Sequence, residues 1–229
     1  MNANFSATKL ALFDLDGTLI DSEIGIIASI EHALNGLDAP IPPRAELRKW
    51  IGPPLRATFP LVLGDEPEQI ERAVDLYRAR FSETGWREHV VYPGIGEAIE
   101  ALAARGVKLA VVTSKPDLYA GKIVASLPFG TRFEHVYAVG AGSAHSEKAT
   151  LIARALGDFG VAPAAAAMVG DRHFDIDGAL ANRVRAIGVS WGFGTREELR
   201  VAGADAIAES PEQLPALLAS DGVASAIPG

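Results

Sequence analysis

Short apolar runs alternate with helical patterns along most of this chain, and that rhythm restricts the fold more than any single residue does. Residues 9–14, 107–113, 136–139, 165–169, 186–190 and 205–208 read as strands. Residues 94–105, 117–127, 146–156 and 195–202 carry apolar side chains at helical spacing, and a last helix starts at Pro211. Strands separated by roughly 10–15 helical residues predict an α/β fold, a doubly wound parallel sheet with helices on both faces. Such a sheet gathers its ligands at the carboxyl ends of its strands.

One stretch breaks the rhythm. After Ser22, a plausible N-cap, Ile24, Ile27, Ile30, Ala33 and Leu34 recur at helical spacing. Pro43 suits the first turn of a helix running to Trp50, and Gly52-Pro53-Pro54 reads as a turn. Ile70, Val74, Tyr77 and Phe81 mark a longer helix from about Glu66. No strand is required here. The expected organisation is a core domain of residues 1–20 and 90–229, with residues 21–89 as an all-helical insert hinged at 18–22 and 87–93.

Of the 229 residues, 48% are hydrophobic and 22% charged, values of an ordinary globular chain. The net charge of −8 provides no basic footprint for a nucleic-acid backbone. It also repels an anionic substrate at long range, so a site for one must concentrate positive charge locally. With no cysteine, disulfides, thiolate zinc sites and a cysteine nucleophile are excluded. Residues 1–9 lack the basic start and apolar run of a signal peptide, and the apolar runs fall short of the ~18 residues a membrane helix requires. The expectation is a soluble, cytoplasmic protein without membrane or nucleic-acid partners, monomeric or homodimeric.

The chemistry-bearing residues sit at strand ends. In Phe13-Asp14-Leu15-Asp16-Gly17-Thr18, residues two apart point the same way, so Asp14 and Asp16 project together before Gly17 permits an abrupt turn. Two carboxylates this close separate in proton affinity, which suits one as an anionic nucleophile and the other as an acid. The plainer alternative is a pair of polar strand caps. A calcium loop fails, because Gly17 falls at its fourth position and Gly25 at its twelfth.

Thr113 and Ser114, followed by Lys115, place hydroxyls and fresh backbone N–H groups where phosphate oxygens are held, although such residues also simply cap. Lys148 stands at the start of a helix, against the dipole, a local conflict that hints at function; taken alone it reads as a solvated lysine. Asp171 and Asp175 can converge on one cation, or merely cap a helix. Carboxylate oxygens with no nearby Cys or His cluster favour Mg²⁺ over zinc.

Aspartate pair, hydroxyl, lysine and second aspartate pair, in this order, resemble the four signature motifs of the haloacid dehalogenase superfamily of phosphohydrolases. The likeness covers nearly the whole chain, and the insert looks like that family's small helical cap on a Rossmann-like core. Val112-Thr113-Ser114-Lys115-Pro116, Ile51-Gly52-Pro53-Pro54-Leu55 and Trp191-Gly192-Phe193-Gly194 look most like its phosphoglycolate phosphatase branch.

The resemblance implies Asp14 as nucleophile and Asp16 as acid and then base. Thr113 and Lys148 would hold and neutralise the phosphoryl group. Asp14, the Asp16 carbonyl and Asp171 would ligate Mg²⁺, with Asp175 assisting or holding Lys148. The substrate would be a small phosphate monoester, phosphoglycolate-like, held also by Ser114 and Lys115. Read from the residues alone, Arg44, Arg48, Lys49 and Arg56 form a cationic cluster in the insert that is either a solvated helix face or a receiver for a carboxylate or second anionic group of the substrate, with Arg56 the candidate contact.

The intact Asp16 argues against a dehalogenase or a phosphonatase. A nucleoside monophosphate phosphatase and a β-phosphoglucomutase-type phosphotransferase stay open, as does, outside enzymes, a phosphate-responsive binding protein.

Overall fold

The structure is a computed structural model that describes residues 7–140 and 148–219. In chain order its elements are β1 (Leu10–Phe13), β2 (Ile20–Asp21), α1 (Glu23–Asn35), α2 (Arg44–Leu47), α3 (Leu55–Thr58), α4 (Pro60–Leu63), α5 (Pro67–Glu83) and β3 (Val90–Val91). There follow α6 (Ile95–Ala104), β4 (Lys108–Pro116), α7 (Asp117–Ser126), β5 (His135–Val139), α8 (Lys148–Phe159), β6 (Ala166–Gly170), α9 (His173–Ala181), β7 (Arg185–Val189), α10 (Arg196–Ala202), β8 (Ala206–Ala208) and α11 (Leu214–Ala219). The chain divides into two compact units, residues 1–19 with 91–229 and residues 20–90.

The first unit is built on a six-stranded sheet in the order β5-β4-β1-β6-β7-β8, parallel throughout. Its strands are apolar on both faces because both are covered. Leu10, Leu12, Ala110, Val112, Met168 and Ala186 join Leu151, Ile152 and Ala155 of α8, Ile176 and Ala179 of α9 and Leu199 of α10 in one cluster. The alternate residues Ala11, Phe13, Val111, Val169 and Ile187 point the other way and are equally buried, Phe13 meeting the Phe133 ring edge-on at 6.1 Å. This is the doubly wound arrangement the alternation predicts.

Register fixes the site. Phe13 stands level with Val111 on one side and Val169 on the other. The next residues of β1 and β6, Asp14 and Gly170, therefore emerge together at the carboxyl edge, and the Asp14 N–H donates to the Val169 carbonyl at 2.9 Å. β4 departs from expectation by running past Thr113 to Pro116, its pairing with β5 slipping between Val112 and Pro116. Such an irregularity re-aims side chains at a sheet rim, and here it places Thr113 and Lys115 inward while Ser114 stays exposed.

The second unit is helical, α1 packing on α5. Two details differ from expectation. The two-residue strands β2 and β3 pair with each other where a strand-free insert is expected. On α1, Ile26, Ile27 and Ile30 are buried whereas Ile24 is more than half exposed. The sequence Glu23-Ile24-Gly25-Ile26-Ile27 allows two helical stripes, and the chosen one brings Gly25 against the backbone of Gly85 and Glu88. Helices α3 and α4 are additions to the expected set. No helix among the described residues is long and apolar enough to cross a membrane.

Candidate active site

Asp14, Asp16, Thr113, Lys148, Asp171 and Asp175 all belong to the sheet-bearing unit. One ligand oxygen from each of Asp14, Asp171 and Asp175 lies within 4.8 Å of the others. Lys148, far from solvated, is buried, with Nζ 2.8 Å from both Asp14 Oδ1 and Asp175 Oδ1 and donating to the Val112 carbonyl at 3.0 Å. The apparent conflict with the helix dipole is resolved by two carboxylates. The expected start of its helix at Ser146 lies outside the described residues.

Asp175 unites both readings made of it. As the third residue of α9 it accepts a hydrogen bond from the Arg172 N–H at 3.1 Å through Oδ2, a capping contact, while Oδ1 faces Lys148. Asp171 is wholly buried. Its Oδ2 accepts from the Phe193 N–H at 2.8 Å and its Oδ1 more loosely from the Thr18 hydroxyl at 3.4 Å.

Around Asp171 the chain is stripped of side chains. A Cβ on Gly17 would overlap the Asp171 carboxylate, one on Gly192 its Cβ, and one on Gly194 its backbone carbonyl. Gly17 also holds φ at +83°, where a Cβ is disfavoured. In the sequence Gly192 and Gly194 stand out only as part of the Trp191–Gly194 likeness, and nothing there links them to Asp171.

Asp16 is turned elsewhere. Both of its carboxylate oxygens lie 2.8 Å from Lys115 Nζ, so the structure does not bring that carboxylate into the metal-capable group. Thr113 is buried, and its Oγ1 accepts the Lys115 N–H at 3.2 Å. In the helical unit, the expected cationic cluster is met by carboxylates. Arg44 and Arg48 pair with Glu23, Lys49 with Glu46, and Arg56 forks onto Glu71 at 2.6 and 2.7 Å.

Electrostatics bear on whether a cation fits. Burial, together with Asp175 and Asp16, outweighs Lys148 and raises the Asp14 carboxyl to about 6. Burial and the charges of Asp175 and Asp14 push Asp171 well above the carboxylate range. Lys148 is raised, the attraction of Asp14 and Asp175 prevailing over its burial. The cluster thus holds more negative charge than its ammonium balances, and its donors are all hard oxygens. A small divalent cation such as Mg²⁺ fits that set.

A family model for haloacid dehalogenase-like hydrolases matches residues 11–189. The chain belongs to that family. Among its relatives is a 5'-nucleotidase of Pseudomonas aeruginosa, 41% identical over 189 residues, covering 82% of this chain and 86% of that protein. Tyrosine-protein kinase PtkA of Mycobacterium tuberculosis is 37% identical across 81% of this chain, which spans 63% of PtkA. A phosphoglycolate phosphatase of Shigella boydii is 28% identical, with 93% and 94% covered. The crystal structure of a predicted phosphatase from Clostridium acetobutylicum superposes with a TM-score of 0.86 at 35% identity, covering 93% of this chain and 99% of that one.

Proposed function

We propose that this haloacid dehalogenase-like phosphatase hydrolyses small phosphate monoesters in two steps through an aspartyl-phosphate on Asp14, with Mg²⁺ held by Asp14, Asp171 and the Asp16 carbonyl. The observation that carries the reading is Lys148 lodged between Asp14 and Asp175 beside Asp171, at the carboxyl ends of parallel strands. When bound, the metal lowers the repulsion between an anionic nucleophile and an anionic phosphate.

An Asp14 oxygen bonds to phosphorus as the ester P–O bond breaks, and the leaving oxygen keeps the bonding pair and takes a proton from Asp16. Asp16 then accepts a proton from water, whose oxygen bonds to phosphorus as the Asp14–P bond breaks and phosphate departs. Lys148 offsets charge on the transferring group. Because Thr113 Oγ1 already accepts the Lys115 N–H, its own proton is free to donate to a phosphoryl oxygen. Asp175 holds Lys148 in place.

For the substrate, the 41% identical 5'-nucleotidase supports testing nucleoside 5'-monophosphates ahead of phosphoglycolate. Within the sheet-bearing unit the exposed Ser114 is the contact for the rest of the substrate; Arg56, in the helical unit, is engaged by Glu71. The kinase name of PtkA supports a second assay, transfer of the phosphoryl group to an alcohol instead of water.

The deciding experiment is p-nitrophenyl phosphate turnover with Mg²⁺, with EDTA, and after Asp14→Asn, followed by a screen of nucleotides, phosphoglycolate and sugar phosphates. Activity that needs both Mg²⁺ and Asp14 is expected. Absence of turnover on every ester would remove the reading in favour of a phosphate-binding protein.

A further inference from the structure

We propose that Lys115 is a positioning residue for Asp16, holding the carboxyl that serves the leaving group, and not primarily a contact for the transferring phosphoryl group. The inference rests on the phosphatase reading above.

Lys115 Nζ stands 2.8 Å from each oxygen of Asp16. Its side chain is 5% exposed and that of Asp16 16%, so the pair is sheltered from the solvent screening that makes surface pairs weak. The ammonium reaches this place because β4 continues beyond Thr113. Residues 113 and 115 share one face of the strand, and the Lys115 N–H binds Thr113 Oγ1. One segment thus presents a hydroxyl for the phosphoryl group and a cation for the acid.

Asp16 directly precedes Gly17, which turns the chain at positive φ. An aspartate side chain in such a turn has several rotamers open to it. A cation on one side selects among them, and misplacing a reacting group by about 1 Å can cost on the order of 100-fold. Lys115 needs only one carboxyl oxygen for this. The other oxygen carries the proton that passes to the leaving oxygen as the P–O bond breaks.

The two roles for Lys115 differ in what they do to different leaving groups. Protonation matters greatly for an alkoxide and little for a stabilised p-nitrophenolate, whereas contact with the phosphoryl group matters for both. The test compares kcat/KM of wild type and Lys115→Met on p-nitrophenyl phosphate and on the alkyl phosphate that the wild type turns over fastest, in the native and the Asp16→Asn backgrounds. The expected result is a loss of about 100-fold on the alkyl ester, carried by kcat with KM little changed, and under about fivefold on p-nitrophenyl phosphate. In the Asp16→Asn background the further loss should be under about threefold on either ester.

Equal losses on both esters, multiplying with Asp16→Asn, would overturn the inference while leaving the phosphatase reading intact. A wild type inactive on every ester would overturn both. Should Lys115→Met fail to fold, Lys115→Gln, which keeps a donor, is to show the same skew between esters at reduced size, and an even loss there counts against the proposal.

Discussion

Gly178 presses its bare Cα against the root of Lys148: a Cβ added there would stand 3.1 Å from Lys148 Cβ and Cγ and from the Ala149 nitrogen. This close approach of α9 to α8 is what lets the ammonium reach Asp14 and Asp175. Gly178→Ala gains about 1 kcal/mol of helix propensity but overpacks a contact, which costs roughly 1–3 kcal/mol. The net change in stability is expected to be small, between no effect and about 2 kcal/mol destabilising by urea denaturation. Activity is the more sensitive readout: kcat should fall at least tenfold as Lys148 is displaced, and an unchanged kcat would separate the helix contact from the site.

The raised Asp14 carboxyl makes stability depend on pH in a defined direction. It is about 6 in the folded chain, against 3.8 for an unperturbed aspartate. Between these values the folded chain binds the proton more tightly than the unfolded one, so metal-free stability falls as pH rises from about 4 to about 6. It stays lower above that, by at most about 3 kcal/mol. Mg²⁺ needs the ionised form and acts the opposite way. At a concentration 100 times its Kd it adds about 2.7 kcal/mol near pH 7.5 and progressively less below pH 6. Thermal denaturation with Mg²⁺ and with EDTA across pH 4.5–8 checks both signs; a Mg²⁺ shift that does not shrink on acidification would contradict the assignment.

Lys148 is the only partner-rich cation in this cluster among the described residues, so its removal should be felt most at high pH. Lys148→Met leaves Asp14 and Asp175 facing each other without their shared ammonium, and breaking a buried pair costs roughly 3–5 kcal/mol. In a chain of this size that is of order 10 °C in melting temperature. The deficit should narrow at pH 5, where carboxyls can be protonated, and in Mg²⁺. Turnover should drop by at least about 1,000-fold at every pH, consistent with loss of a charge aimed at the phosphoryl group. A melting temperature equally depressed at pH 5 and pH 8 would point to lost packing instead.

Most of the sheet and of the acidic site was legible because it is encoded locally. The spacing of Asp14 and Asp16 and the strand before Asp171 can be read within six residues. Lys148 was ambiguous for a physical reason: its burial depends on Gly178, which lies 30 positions onward and carries no sign of its purpose in the local pattern. The collar of Gly17, Gly192 and Gly194 is set by the room that Asp171 needs, a requirement visible only once distant strands are side by side. The same holds for β4, where Pro116 argues for an earlier end. At the strand's last position, next to a register slip, proline is tolerated. Likewise the cations of the helical unit read as available charge until Glu23, Glu46 and Glu71 fold onto them.

Two glycines with the same backbone strain distinguish conformation from clash at Asp171. Gly17 has φ +83° and Gly106 φ +75°, so alanine costs roughly 1–2 kcal/mol of left-handed strain at either. They differ in surroundings. A Cβ on Gly17 would run into the Asp171 carboxylate, whereas one on Gly106 meets nothing within 4 Å. Gly106→Ala should therefore lower the melting temperature by only a few degrees and leave kcat/KM within about twofold. Gly17→Ala should lose stability beyond that strain, weaken Mg²⁺ at least tenfold by calorimetric titration, and cut turnover by about 100-fold or more, because Asp171 must move away from the position that Phe193 and Thr18 hold. If both variants behaved alike, the space around Asp171 would have no part in building the site, and the glycine at 17 would serve the turn alone.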